Sequence, residues 1–118
     1  LQLRTLPDVQ SHPQLGASWE GFALEQVSGL LGTRDAYFWA THGGAELDLL
    51  IRLGGKHYGF EFKYADAPGT SRSMHVALQD LSLEHLWIVY PGRQAYALAD
   101  RISALPLDGI PQLASTLR

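Results

Sequence analysis

Apolar and polar residues alternate through residues 45–63, which carry the most regular pattern in the chain. Apolar side chains occupy every second position on both sides of the Gly54-Gly55 pair. A period of two is typical of a β-strand whose two faces differ. The Gly-Gly pair provides the positive φ angles that a two-residue hairpin turn requires. The pattern therefore predicts two adjacent strands that gather Asp48, Glu61 and Lys63 on one face of a sheet.

A second pattern, with apolar residues at steps of three and four, lies upstream of this hairpin. Ser11 and Pro13 are typical of a helix start, and Gly32 is typical of a helix end. Glu20 borders the apolar stripe and Glu25 lies away from it, so spacing alone makes both of them solvated helix charges. The stripe predicted to face inward consists of Trp19, Phe22, Ala23, Gln26, Val27 and Leu30.

The remaining segments predict a second helix and further strands. The first is an aromatic strand at 36–40, and the second is a helix that Ser71 or Ser73 caps and that turns Met74, Ala77, Leu78 and Leu81 inward. A buried strand at 86–90 and a short strand at 94–98 follow. The last two are an edge strand at 101–107, which Pro106 confines to a sheet edge or to its own end, and a final helix at 108–117. A helix between the third strand and the 86–90 strand implies a parallel crossover.

These elements predict an α/β fold with a mixed central sheet and flanking helices. The order is αβββαβ followed by a less regular tail, arranged in two or three layers. Residues 1–10 lack periodicity and are expected to be a lead-in or linker, so residues 11–118 form a single domain.

Composition narrows the class of protein. The chain has 118 residues, enough for one domain, and its formal net charge of −3 argues against avid nonspecific nucleic-acid binding. The absence of cysteine excludes disulfides and thiolate zinc sites. No apolar run is long enough to span a bilayer and no signal peptide is visible, so we expect no membrane partner and a cytoplasmic location. Because the first residue is Leu1 rather than Met, we expect a piece of a longer chain.

The carboxylates and ammonium of the hairpin have two interpretations. Asp48 and Glu61 provide the oxygen donors that Mg²⁺ and Mn²⁺ prefer, and Lys63 adds a positive charge beside them. Alternatively, Glu61 and Lys63 form a solvated strand face with a weak salt bridge. Adjacent carboxylates repel one another without a cation, so such a cluster is costly to keep for structure alone. His57 shares the predicted Glu61 face, but a lone histidine there is more often a turn or core residue.

The arrangement resembles the PD-(D/E)XK nuclease superfamily, which has an αβββαβ core, an acidic residue on strand two and Glu-x-Lys on strand three. Asp48 and Glu61-Phe62-Lys63 match these positions, and Glu20 matches the helix-one glutamate of resolvase-like branches. The resemblance implies a restriction-endonuclease-like fold acting on DNA. It implies Mg²⁺ or Mn²⁺ held by Glu20, Asp48 and Glu61, with the Phe62 carbonyl as a further ligand, and catalysis by Asp48, Glu61 and Lys63.

A closer resemblance is to the C-terminal module of bacterial and archaeal AAA-type ATPases, a module that carries a domain-of-unknown-function label. This resemblance implies an N-terminal ATPase domain in the same parent chain, whose phosphate-binding loop is absent from these 118 residues. The matching segments lie at 12–22, 37–39, 43–48, 61–63, 86–92 and 97–107.

Two functions remain open at this point. The first is a metal-dependent endonuclease domain that hydrolyses DNA phosphodiester bonds, and the complete acidic–lysine set favours it. The second is a noncatalytic interaction or regulatory domain of the ATPase, which would use a sheet edge or helix one for contacts. The mild acidity of the chain favours the second function.

Overall fold

A computed structural model of the chain describes residues 12–32 and 36–117. The predicted lead-in at 1–10 and the predicted cap Ser11 lie outside these ranges. In chain order the elements are α1 (His12–Leu31), β1 (Ala36–Ala40), β2 (Glu46–Leu53), β3 (Lys56–Phe62), α2 (Arg72–Asp80), β4 (Leu83–Tyr90), β5 (Tyr96–Ala99), β6 (Ile102–Pro106), a 3₁₀ turn (Leu107–Gly109) and α3 (Ile110–Leu117).

The described strands form one mixed sheet in the order β1-β2-β3-β4-β6-β5. β1, β2 and β3 are antiparallel neighbours, whereas β4 is parallel to both β3 and β6. β5 completes the sheet as an antiparallel partner of β6. The predicted α/β class, the αβββαβ core order and the parallel crossover through α2 are therefore confirmed.

Local sequence signals determine the hairpin and the start of α2. Gly54 and Gly55 form the β2–β3 turn with φ angles of 57° and 80°, which only glycine adopts at little cost. Ser71, rather than Ser73, caps α2, because its Oγ accepts a hydrogen bond from the N–H of Met74 at 3.3 Å. These two signals define both connections that flank β3.

Helices cover both faces of the sheet, so the fold has three layers. α1 and α3 pack against one face, in a core that includes Val27, Phe60 and Ile110. α2 packs against the other face, in a core that includes Met74 and Leu86. Among the described residues, no helix combines the length and apolar character needed to cross a bilayer.

The buried side of α1 differs from the predicted one. Val27 is fully buried, as predicted, but Phe22 is 49% exposed and Leu30 is 38% exposed. α1 carries two apolar stripes at helical spacing, and the stripe that meets the sheet contains Ala23, Val27 and Leu31. Glu20 lies one and two turns before Ala23 and Val27 on this same side, so the rotation turns Glu20 toward the sheet.

The rotation of α1 predicts a clear difference between two substitutions. We expect Val27→Ala to lower the free energy of unfolding by about 2–3 kcal/mol, because the methyl groups leave a closed core. We expect Phe22→Ala to lower it by less than about 1 kcal/mol, because half of that ring already contacts water. Urea titrations of the two variants measure both changes. A larger loss in Phe22→Ala than in Val27→Ala would contradict this packing of α1.

The strand predicted at an edge, β6, lies inside the sheet between β4 and β5. Pro106 is its last residue and pairs with Tyr90 of β4. A proline lacks the N–H needed to continue a ladder, so it ends the strand and does not require an open edge. The short strand β5 occupies the edge instead.

Candidate active site

The backbone ladder between β2 and β3 ends at the pair Leu49 and Phe60. Beyond that pair, carboxylates take the place of backbone acceptors. The N–H of Asp48 donates to Glu61 Oε2 at 2.8 Å, and the N–H of Phe62 donates to Asp48 Oδ2 at 3.0 Å. Each carboxylate is therefore held by the backbone of the opposite strand, and Asp48 and Glu61 lie next to each other where the two strands open.

A β-bulge in β2 lies at the same place. Tyr37 pairs with Leu50, and Trp39 pairs with Leu47. Between these two pairs β2 has two intervening residues and β1 has one, so β2 carries one extra residue. The extra residue breaks the period of two, and Leu47 and Leu50 consequently share the core on the α2 side. The predicted simple alternation through Asp48 is therefore wrong, although the predicted proximity of Asp48 and Glu61 is observed.

α1 brings a third carboxylate to this end of the sheet. Oε2 of Glu20 accepts a hydrogen bond from the N–H of Tyr64 at 3.1 Å, just beyond the end of β3. The charge of Asp48 raises the pKa of Glu20, after the larger effect of burial. Within residues 12–32 and 36–117, however, no three acidic or histidine side chains lie close enough together to enclose a metal ion. The predicted set Glu20, Asp48 and Glu61 is thus a close pair with a third carboxylate alongside.

Burial controls the electrostatics of the cluster. Glu61 is only 7% exposed, and its burial, followed by the charge of Asp48, raises its pKa to about 8. Burial also raises the pKa of Asp48, against the hydrogen bond from Phe62. The ammonium of Lys63, on an exposed side chain, lowers the pKa of Glu20, Asp48 and Glu61 alike, as expected of a positive charge near all three. A buried and a partly buried carboxyl that resist joint ionisation form a site where a cation is stabilising.

The donor set fits a hard divalent cation. One oxygen of Asp48 and one of Glu61 accept a backbone N–H, and among the described residues nothing hydrogen-bonds to the second oxygen of either group. Mg²⁺ commonly binds one or two carboxylates and keeps water or phosphate oxygens as its other ligands. Asp48 and Glu61 would hold such an ion, with Glu20 as the neighbouring carboxylate.

The structure separates other candidates from this cluster. Nδ1 of His57, predicted on the Glu61 face, lies 2.9 Å from the carbonyl oxygen of Leu81, near the hairpin turn at the opposite end of β3. Tyr64, which the alternation does not single out, contributes the N–H that holds Glu20. The sequence signal that identifies Tyr64 is its position directly after Glu61-Phe62-Lys63.

Comparisons with known proteins give a family match, two relatives and a solved structure. A family model described as a domain of unknown function, DUF4143, matches residues 15–110. Uncharacterized proteins of Mycobacterium bovis and Mycobacterium tuberculosis are each 50% identical over 102 residues, which is 86% of this chain and 23% of theirs. The chain thus spans about a quarter of the length of these curated relatives. The crystal structure of protein VC1899 from Vibrio cholerae superposes on this chain with a TM-score of 0.45 and 14% sequence identity. The matched region covers 92% of this chain and 35% of that one.

Proposed function

The chain belongs to the DUF4143 family, and from that premise we propose that it is a metal-dependent nuclease-like domain of the PD-(D/E)XK type that hydrolyses DNA phosphodiester bonds. The observation that carries the proposal is the reciprocal pair of hydrogen bonds that holds Asp48 and Glu61 side by side at the open end of β2 and β3. Lys63, directly after β3, and Glu20, on α1, border the pair. An acidic pair that can hold a divalent ion, with an adjacent ammonium, is one arrangement able to cleave a phosphodiester.

Each residue has a separate role in this proposal. Asp48 and Glu61 hold Mg²⁺ or Mn²⁺, and the bound ion supplies polarisation of the phosphodiester and a water of lowered pKa. The backbone N–H groups of Asp48 and Phe62 hold the carboxylates in one orientation before any ion binds. This preorganisation reduces the entropy lost on binding. The Lys63 ammonium stabilises negative charge that develops on the phosphate oxygens, and Glu20 orients water at the α1 side.

The charge of the chain sets the conditions for substrate binding. With a formal net charge of −3, the domain offers few cations to the DNA backbone. We therefore propose that a divalent ion at Asp48 and Glu61 provides much of the local attraction. We also propose that an ATPase domain of the parent chain brings the DNA to this site in the cytoplasm.

An interaction or regulatory domain is the second candidate function. The observation that favours it is the outer stripe of α1, where Leu15 is 38% and Phe22 is 49% exposed. β1 adds Tyr37 and Phe38 at 44% and 45% exposure on an edge strand of the sheet. Exposed apolar side chains that are grouped on a helix or on an edge strand are typical of protein contacts.

Titration calorimetry with Mn²⁺ tests the metal site directly. We expect the wild-type chain to bind Mn²⁺ and both Asp48→Asn and Glu61→Gln to lose that binding, because each substitution removes a charged ligand and keeps the side-chain shape. Glu25→Gln is the matched control, since Glu25 is an exposed carboxylate elsewhere on α1. Failure of the wild type to bind millimolar Mn²⁺ would contradict the metal site and favour the interaction domain.

A further inference from the structure

Tyr64 places an exposed aromatic ring beside the acidic cluster. It directly follows Lys63 in the chain, and 45% of its surface is exposed. Its N–H donates to Glu20, so its backbone is tied to the same end of the sheet as the carboxylates. Its ring packs against Trp19, with centroids 6.0 Å apart and planes tilted by 48°. The ring is therefore supported on one side and open to solvent on another.

α1 makes room for this ring at Gly16. A Cβ atom at that position would lie 3.3 Å from Cδ2 of Tyr64, closer than an ordinary van der Waals contact. Glycine inside a helix costs about 1 kcal/mol relative to alanine. The glycine that lowers the helix propensity of α1 is therefore the residue against which the Tyr64 ring packs closely.

We propose that Tyr64 is a stacking platform for an unpaired base of the DNA strand at the active site. The substrate class is then single-stranded, frayed or branched DNA, in preference to intact duplex. This inference rests on the nuclease function proposed above. Stacking of a base on an aromatic ring is worth about 1–3 kcal/mol and does not depend on base identity.

The geometry favours an unpaired base because a duplex offers no free base face. Bases inside a duplex already stack on their neighbours, and exposing one requires unpairing it. The Lys63 ammonium acts on Glu20, and the Glu20 carboxylate accepts the N–H of Tyr64, so a phosphate at the ammonium and a base on the ring would lie at the same end of the sheet. In an acidic domain, where phosphate contacts contribute little, stacking supplies an attraction that does not depend on net charge.

Fluorescence anisotropy measures this platform with two DNA probes, a labelled oligothymidylate and a labelled blunt-ended, G·C-closed duplex, and Ca²⁺ in place of Mg²⁺. We expect Tyr64→Leu to weaken oligothymidylate binding by about 5- to 100-fold, because leucine keeps an apolar side chain but has no π face. We expect Tyr64→Phe, which keeps the ring, to bind within about twofold of wild type. Duplex binding should be equal in all of these proteins.

Phe22→Leu is the matched control, because Phe22 is an equally exposed aromatic residue of α1 outside the acidic cluster. It should bind both probes as the wild type does, and a urea titration of Tyr64→Leu should show an intact fold. The inference is overturned if the wild type does not bind oligothymidylate, if Tyr64→Leu weakens both probes equally or neither, or if Phe22→Leu causes the same loss. A different outcome would assign the exposed aromatic surface to a protein partner. In that outcome, Tyr64→Leu and Phe22→Leu both lose binding to the rest of the parent chain and still bind oligothymidylate as the wild type does.

The inference and the nuclease proposal fail separately. In one outcome, the wild type cleaves single strands and duplex equally in the presence of metal, with no change in Tyr64→Leu. That result would contradict the stacking role of Tyr64 and support the nuclease function. Tyr64-dependent oligothymidylate binding without cleavage in any metal would remove the nuclease and leave a single-strand binding surface.

Discussion

We expect Glu61→Gln to abolish metal-dependent DNA cleavage by this chain while leaving its fold intact. Glutamine has the same shape, and its Oε1 can still accept the N–H of Asp48, the contact that Glu61 makes at 2.8 Å. Glutamine cannot supply the negative charge that anchors a divalent ion, so the variant should lose metal binding and keep the folded sheet. Digestion of plasmid and branched DNA with Mg²⁺ or Mn²⁺ measures the loss, and circular dichroism checks the fold.

Lys63→Ala separates metal binding from catalysis in the same assay. It should leave Mn²⁺ binding largely unchanged, because Lys63 is not a ligand, and slow cleavage by about a hundredfold or more. Glu25→Gln should cleave as the wild type does. Cleavage that survives in Glu61→Gln would point to another site or to a contaminating nuclease. Absence of cleavage by the wild type, both as this chain and within its parent protein, would favour the interaction-domain function.

The second large effect is a fall in stability with rising pH. Burial raises the pKa of Glu61 from its ordinary value of 4.5 to about 8 in the folded chain. A raised carboxyl pKa means that the folded state binds the proton more tightly than the unfolded state. The stabilisation is therefore complete below the ordinary pKa and is lost as pH rises toward the folded value. Each pH unit in this window is worth about 1.4 kcal/mol, so the free energy of unfolding should fall by up to about 4 kcal/mol between about pH 5 and about pH 8.

Glu61→Gln tests the source of this pH dependence, because glutamine does not titrate. Urea titrations at both pH values should show a much smaller fall in the variant than in the wild type. Added Mn²⁺ should restore stability to the wild type at the higher pH and leave Glu61→Gln unchanged, since an ion that binds only the folded state stabilises it. Parallel pH profiles for the two proteins would show that Glu61 is not the buried acid described above.

Local backbone and capping preferences allowed several secondary-structure elements to be predicted from the sequence alone. Gly54 and Gly55 specify a tight turn because other residues rarely adopt its positive φ angles. Ser71 can satisfy a helix N–H three residues on, which starts α2, and the crossover through this helix allows β3 and β4 to pair in parallel. The α/β class and the αβββαβ order follow from these signals and from the spacing of apolar residues.

The candidate site could be predicted in its membership but not in its geometry. Glu61 and Lys63 share a strand face because alternation is a local property of β3. Asp48 reaches Glu61 through a bulge that exists only where β2 faces β1 at one end of their ladder. That register depends on two strands together, so no pattern within β2 indicates it.

Packing likewise decided the orientation of α1 and the place of β6. Phe22 and Val27 both belong to the apolar stripe predicted to face inward, and helical spacing alone does not separate them. The sheet buries Val27 because Ala23 beside it allows a close approach, and this choice turns Glu20 toward Tyr64. Periodicity along one chain segment determines that a stripe exists, whereas which stripe is buried depends on the shape of the surface that it meets.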